Sequence, residues 1–404
     1  MYLGPFVLIP TAPPIFAANA NATINSVLWN GVPSSDWHET ISPPLVLSRN
    51  SLSFSRQPIY EKHFILALNI EIFRGGLNLS LVGGVDVGAT STKSIIIDFK
   101  GRLLGRGIGP GVNPFTMGYE AAAEIMVKTL SEAMRGVCEF KDLACVVFGS
   151  TGLETIKSRE LVKSLIEKKS GISRVFVVTD SRIALEGALG GGEGIVVYAG
   201  TGSFAIGKNA RGDVHKAGGV GFLMSDEGSG FYLGHQALRA AVRALDGRGE
   251  RTVLTRRVLD HFGVEIPEEL MPKLYVKPID TSAIAALAPI VTQAAEEGDH
   301  VARKIVESAV GELVNLVEAV ARKLNMISLE FPLASAGGVF KSELIRGLFC
   351  SMIKERLPRA YLIEPRFKPV IGAVIMALKN AGISVEKGLL DELEASQRRL
   401  VDIP

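Results

Sequence analysis

A chain of 404 residues with a 47% hydrophobic fraction has apolar material for two or three domains. Its formal net charge is +2 and no basic run stands out, which argues against a nucleic-acid partner. Cys138, Cys145 and Cys350 are isolated and lack CxxC spacing, which argues against a disulfide framework or zinc site and for a reducing, cytoplasmic compartment. No uninterrupted apolar run reaches the roughly 18 residues that read as a membrane span.

Residues 1–80 differ in kind from the rest of the chain. They hold 8 of the 19 prolines and both tryptophans, Trp29 and Trp37, but only 8 charged residues. "FAANANA" has the small-residue look of a signal-peptide cleavage site, yet no positive leader precedes it, and Pro5 and Pro10 interrupt the apolar stretch. The repeated Pro, Asn and Ser argue against a packed fold. Two expectations stay open here: a disordered extension, or an artefactual one with translation starting near Leu81.

From Leu81 the pattern becomes regular. "LVGGVDV" and "SIIIDF" are β-branched runs, "KG" at Lys100–Gly101 predicts a hairpin turn, and "RLLGRGI" continues the meander. "GYEAAAEIMVKTLSEAMRG" has helical spacing and ends on glycine. "ACVVFGSTG" reads as strand then loop, "ETIKSRELVKSLIEKKSG" as an amphipathic helix with a solvated lysine face, and "RVFVVTD" as a buried strand before the helix "SRIALEGAL". The opening pattern then recurs in "GIVVYAGTGSFAIGKNARGDVHKAGG". Gly88 lies 13 residues before the turn glycine Gly101, and Gly200 lies 12 before Gly212. This repetition predicts two related α/β lobes. Further helices are expected in "GFYLGHQALRAAVRAL", "SAIAALAPIVTQAAEEG" and "VARKIVESAVGELVNLVEAVARKL". A strand "LEFPLASAGG" precedes the helix "VFKSELIRGLFCSMIKERL". "YLIEP" and the helical "PVIGAVIMALKNAG" come last.

A hairpin tipped with glycine and Ser/Thr aims backbone N–H groups to one side and binds anions, phosphate above all. Two such hairpins, one per lobe, could hold one polyphosphate between them. Asp86 sits at the first. A carboxylate beside phosphates needs a cation, and Mg2+ is the hard ion that binds through one carboxylate, waters and phosphates. Asp86 is therefore expected to hold the metal, directly or through water, while Gly88, Thr90, Ser91 and Thr92 line the phosphates. Other readings fit each motif taken alone. A Gly/Thr turn is usually just a hairpin. "GGVDVGAT" approaches P-loop spacing, but Ala89 stands where the lysine belongs and the next segment reads as strand. "GTGSFAIG" also leads into a strand, unlike a dinucleotide fingerprint. His215, His235, His261 and His300 show no metal-ligand spacing. No Gly-x-Ser-x-Gly elbow is present.

The ordered set "DVGATSTK", "GVNP", "TDSRIALEGA", "YAGTGS", "GGVGFLMSDEGSG" and "AGGVF" resembles the family of N-acetylglucosamine kinases and BadF/BadG/BcrA/BcrD-type ATPases, within the actin-like ATPase superfamily. The likeness runs from about Leu81 to Gly382. It implies two ribonuclease H-like lobes around a cleft: residues 81–192, completed by about 370–404, and residues 193–369. It implies ATP and Mg2+ and a sugar substrate; the oligomeric state stays open, a homodimer being one alternative. It implies an ATP-dependent kinase acting at the 6-hydroxyl of a hexose or amino sugar such as N-acetylglucosamine, glucosamine or glucose.

Residue by residue, the resemblance makes Asp180 the catalytic base, although an aspartate after a buried strand equally suits a helix cap. Gly200, Thr201, Gly202 and Ser203 match the second phosphate loop. Asn113, Asp180, Gly219 and Asp226 match sugar contacts, and Gly337 and Gly338 approach adenosine. "SDEGSG" also suits a capping stretch with Ser229 as the cap. Sugar-kinase members most often have tryptophan at the position of Val220, so a flat apolar surface for the N-acetyl group is missing there. Two other functions fit the resemblance. One is an activator ATPase of a radical dehydratase or reductase, which needs cysteines for an iron–sulfur cluster between two subunits. The other is a non-catalytic sugar sensor.

Overall fold

The computed structural model describes residues 80–275 and 280–401. The expectations for the N-terminal extension, Ser80 apart, lie outside the described residues.

The first sheet holds β1 (Leu81–Val87), β2 (Ser91–Asp98), β3 (Leu103–Pro110), β4 (Leu143–Ser150) and β5 (Val175–Thr179), in the order β3-β2-β1-β4-β5. The first three form an antiparallel meander, and β4 and β5 run parallel to β1. Every residue of β4 is buried, as a strand covered on both faces requires. Helices α1 (Tyr119–Met134), α2 (Ile156–Ser170) and α3 (Asp180–Ala188) supply the crossovers.

The second sheet repeats this plan. Strands β6 (Gly194–Ala199), β7 (Ser203–Lys208), β8 (Val214–Gly218), β9 (Phe331–Ala336) and β10 (Ala360–Ile363) lie in the order β10-β9-β6-β7-β8. Read from the other edge, that is the order of the first sheet. Both meander turns carry a glycine at positive φ, Gly101 and Gly212. The repetition seen in sequence is thus a repetition of topology, and the pair of ribonuclease H-like sheets is present. Helices α4 (Gly230–Leu245), α5 (Leu254–Phe262), α6 (Ala288–Glu296), α7 (His300–Lys323) and α8 (Glu343–Arg356) belong to this half. The chain closes with α9 (Pro369–Asn380) and α10 (Lys387–Val401).

Strand alternation decides which helices each face meets. Val85, Ile96 and Phe148 pack beneath α1 and α2 with Met126, Leu130 and Val162. Val82, Ile95, Ile97 and Val147 face the other way and pack on Ile371, Val374 and Leu378 of α9. Thus α9, encoded after the second sheet, covers the first. Next to it, α3 packs Leu185 and Ala188 against Val196, Ile206 and Ala334 of the second sheet. The two helices approach closely because Gly372 has no side chain; a Cβ there would sit 1.9 Å from the carbonyl of Ile183. The far face of the second sheet is covered by α4 to α8.

A knot of charge holds this stack at the C-terminal end of α3. Glu186, 2% exposed, accepts from Lys208 of β7 (2.7 and 2.8 Å), Lys379 of α9 (3.3 Å) and Arg182 (3.0 Å). Both lysines also donate to the carbonyl of Gly191. Burial pulls the Lys208 ammonium below its usual range, against the field of Glu186.

Two helical stretches are shorter than their periodicity predicts. "SAIAALAPIVTQAAEEG" divides into a turn at Thr281–Ala285 and α6, because Pro289 cannot continue a helix but fits a first turn. "VFKSELIRGL" divides into a single 3-10 turn, Gly338–Lys341, and α8, whose start is capped by the Ser342 hydroxyl. The last helix, α10, went unread in the sequence; its Ser396 hydroxyl bonds the Gly101 carbonyl and the Leu103 N–H. No described helix is long and apolar enough to cross a membrane.

Candidate active site

The alternation that buries Val85 and Val87 under α1 turns Asp86 to the opposite face, where α3 begins. Asp86 stands at the C-terminal end of β1, opposite Lys93 in register. Burial pushes its carboxyl up to about 6, against the pull of Lys93, and Asp180 adds to the rise. The adjoining turn is buttressed. Gly88 N–H donates to Ser91 O (3.1 Å), Gly88 O accepts from Val112 (2.9 Å), and Val87 O accepts from Thr151 (3.1 Å). Thr90 is exposed at its tip and Ser91 is half-buried. Thr92 is a correction. It is fully buried, and its hydroxyl donates to Pro110 O (2.8 Å). Alternation places it on the face away from Asp86, so it does not line the turn.

Asp180 is the first residue of α3, one position inside the helix, so it is not the N-cap. Its carboxylate accepts from the Ser181 N–H (2.7 Å). Burial raises its pKa; that N–H and Lys216 lower it, and Glu154 raises it.

The second turn is held by the start of α4. Gly200 O accepts from Gly230 (2.7 Å) and Thr201 O from Phe231 (3.2 Å). Thr201 is exposed at the tip. Ser203 is a second correction, since its buried hydroxyl donates to Glu227 O (2.6 Å) and its N–H donates to Asp226 (3.2 Å). Asp226 therefore sits against the second turn. A Cβ on Gly202 would lie 3.0 Å from both of its carboxylate oxygens. Its backbone is left-handed, with φ of 73°, a conformation costly outside glycine. Burial raises its pKa, offset by the Ser203 N–H and Lys216. Ser229 caps α4 as its sequence suggested, accepting from Tyr232 N–H (3.1 Å).

Asn113 caps the single turn Pro114–Met117 through its Oδ1, which leaves the amide NH2 without a partner among the described residues. Gly219, with φ of 67°, offers its carbonyl to Lys216. Gly337 packs on the end of β6, where a Cβ would come within 2.3 Å of Ala199 O, while Gly338 faces open space. Val220 is exposed, but Phe222 and Phe231 meet nearby with their rings tilted by 52° and centroids 5.0 Å apart. With Asp226, Tyr232 and His235 they line a cavity of about 210 Å³.

Four further residues belong to this cleft. Lys93 could have been found by counting outward from the hairpin turn. Tyr198 rests against Gly200, and burial, Asp180 and Asp86 all raise its phenol. Lys216 and Glu154 meet at 3.4 Å and gave no sequence signal. Asp86, Asp180, Asp226 and Glu154 outnumber Lys93 and Lys216, so the cleft favours a cation. Asp86 accepts no hydrogen bond among the described residues, and no group of three His, Cys, Asp or Glu gathers there. A lone hard carboxylate of this kind suits Mg2+, which keeps most of its waters.

The sequence profile of the BadF/BadG/BcrA/BcrD ATPase family matches residues 83–377. The chain belongs to that family. The matched span contains both turns, Asp180 and the Gly337–Gly338 pair. A Clostridium acetobutylicum N-acetylmuramic acid/N-acetylglucosamine kinase is 30% identical over 304 residues, covering 74% of this chain and 98% of that one. A Dictyostelium discoideum N-acetyl-D-glucosamine kinase is 29% identical over 310 residues, covering 74% and 97%. A solved structure from Chromobacterium violaceum, provisionally assigned as an N-acetylglucosamine kinase, is 27% identical with a TM-score of 0.60 and covers 74% of this chain and 99% of that one.

Proposed function

We propose that this protein is an ATP-dependent sugar kinase that phosphorylates a hexose or amino sugar at the 6-hydroxyl. The observation that carries this reading is the convergence of Asp86, Asp180 and two glycine-tipped turns from separate sheets on one cleft. The named kinase relatives support it.

In this reading the phosphates lie between Gly88, Thr90 and Ser91 on one side and Gly200, Thr201 and Gly202 on the other, with adenosine against Gly337 and Gly338. The sugar meets Asn113, Gly219 and Asp226. Asp180 accepts the proton of the attacking hydroxyl as its oxygen bonds the γ-phosphorus, and the bond from that phosphorus to the departing ADP breaks. Burial of Asp180 makes its carboxylate a stronger base. Mg2+ held at Asp86, when bound, offsets phosphate charge. Residues 81–192 with 370–401 would form one lobe and residues 193–369 the other, and their closure would expel water.

The activator reading fits less well. Cys145 is fully buried in β4, with burial pushing its thiol up to about 12, so it cannot share a cluster with a second subunit. A sensor would need neither Asp86 nor Asp180.

A sugar panel in a coupled ADP assay tests the proposal. ADP release should require both sugar and Mg2+, and Asp180→Asn should lower it by about 10²- to 10⁴-fold while ATP still binds. Parental turnover by that variant, or no ADP with any sugar, would refute the reading.

A further inference from the structure

Lys216 lies on β8, an edge strand of the second sheet. Edge lysines commonly point into water and blunt the edge. The side chain of this one is only 21% exposed, because it lies along the cleft. Tyr198 pairs with Phe204, and Phe204 pairs with Gly218, two residues beyond Lys216 on the same face. The Tyr198 and Phe204 rings stack at 5.4 Å, and the Lys216 ammonium lies 5.2 Å from the Phe204 centroid. This row of side chains carries the ammonium to the opposite wall. There it sits 3.4 Å from Glu154 Oε2 and 3.4 Å from Gly219 O.

Glu154 belongs to the loop after β4 of the first sheet, and that loop is fixed. Arg159 donates to the carbonyls of Leu153 and Glu154 (2.8 and 2.9 Å), and Thr151 N–H donates to Val87 O. An ion pair this open contributes little to stability, so its value lies in where it is. The charged groups that face the ammonium are Glu154, Asp180 and Asp226, all carboxylates.

We propose that Lys216 is a positioning residue for phosphoryl transfer: it bridges the cleft to Glu154 and, through Gly219, sets the loop of Asp226 in register with Asp180. This rests on the kinase reading above. Without the ammonium, three carboxylates from two sheets face one another uncompensated, and the sugar-side loop loses its tie to the wall that carries the base.

The test uses the full chain with Lys216→Met, Lys216→Arg and Glu154→Gln. Amide hydrogen exchange without substrates reads the bridge independently of any kinase activity. Exchange over 151–155 and 214–229 should quicken in K216M and E154Q and stay parental in K216R. Unchanged exchange in K216M, or in E154Q should K216M not fold, overturns the bridge. Kinetics reads the positioning. K216M should lower the sugar-dependent kcat about 10- to 100-fold with KM for ATP within about threefold, and K216R should recover to within about fivefold of the parent. A parental kcat in K216M, or an arginine variant as slow as the methionine one, overturns the positioning role. Absence of ADP release by the unmodified protein with every sugar refutes the kinase reading instead, and the exchange data still judge the bridge.

Discussion

Replacing Glu186 with glutamine should destabilise the protein by about 3 kcal/mol at neutral pH, the low end of the cost of breaking a buried ion pair. The low end applies because the three cations are not equally trapped. Lys379 and Arg182 have side chains 39% and 26% exposed and can turn toward water. The Lys208 side chain is 10% exposed and cannot, although it keeps the carbonyl of Gly191. Burial already lowers the Lys208 pKa, and without Glu186 it falls further. The unfolded chain then binds more protons than the folded one below the ordinary lysine range, so stability of the variant should rise as pH rises toward that range. Urea unfolding followed by far-UV circular dichroism at pH 7 and pH 9.5 reads both effects. Adding Lys208→Met should recover at least half of the loss, because the stranded charge goes with it. A variant within about 0.5 kcal/mol of the parent, the ordinary range for surface changes, would refute the reasoning. So would a loss that does not depend on pH.

Asp86 makes the opposite prediction for an acid. Its folded pKa of about 6 lies above its unfolded value, so without Mg2+ its contribution is most favourable below about pH 4 and is lost as pH rises through 6. Asp86→Asn should flatten that slope and gain about 1–3 kcal/mol at pH 7 in unfolding experiments, while abolishing Mg2+-dependent ADP release. Thr92→Val should cost about 1 kcal/mol through the lost hydrogen bond to Pro110 and leave kcat within about twofold. A large kcat loss there would return Thr92 to the phosphate site.

Much of this was legible in the sequence because it is local. The two glycine turns, the meanders behind them, the cap at Ser229 and the place of Asp180 after a strand depend on neighbours a few residues away, although that strand, read as buried, is a sheet edge with Phe176 exposed. Thr92 and Ser203 were misread because a motif lists hydroxyls without saying which face each takes. The two-residue period of β2 puts Thr92, paired with Val87, on the face away from Asp86, and Ser203 is turned inward by a loop carbonyl 24 residues on. The Lys216–Glu154 bridge and the Glu186–Lys379 contact join residues 62 and 193 apart, and no local pattern encodes such pairs. The break before α6 was readable from Pro289, yet the apolar periodicity on either side masked it.

Phosphorus NMR of the protein mixed with ATP, Mg2+ and each candidate sugar tests the catalytic cleft most directly. A new phosphomonoester coupled to the C6 protons of one sugar, growing in step with ADP and absent with Asp180→Asn, is the predicted result. Inorganic phosphate as the only new product, or ATP left intact with every sugar, would contradict it.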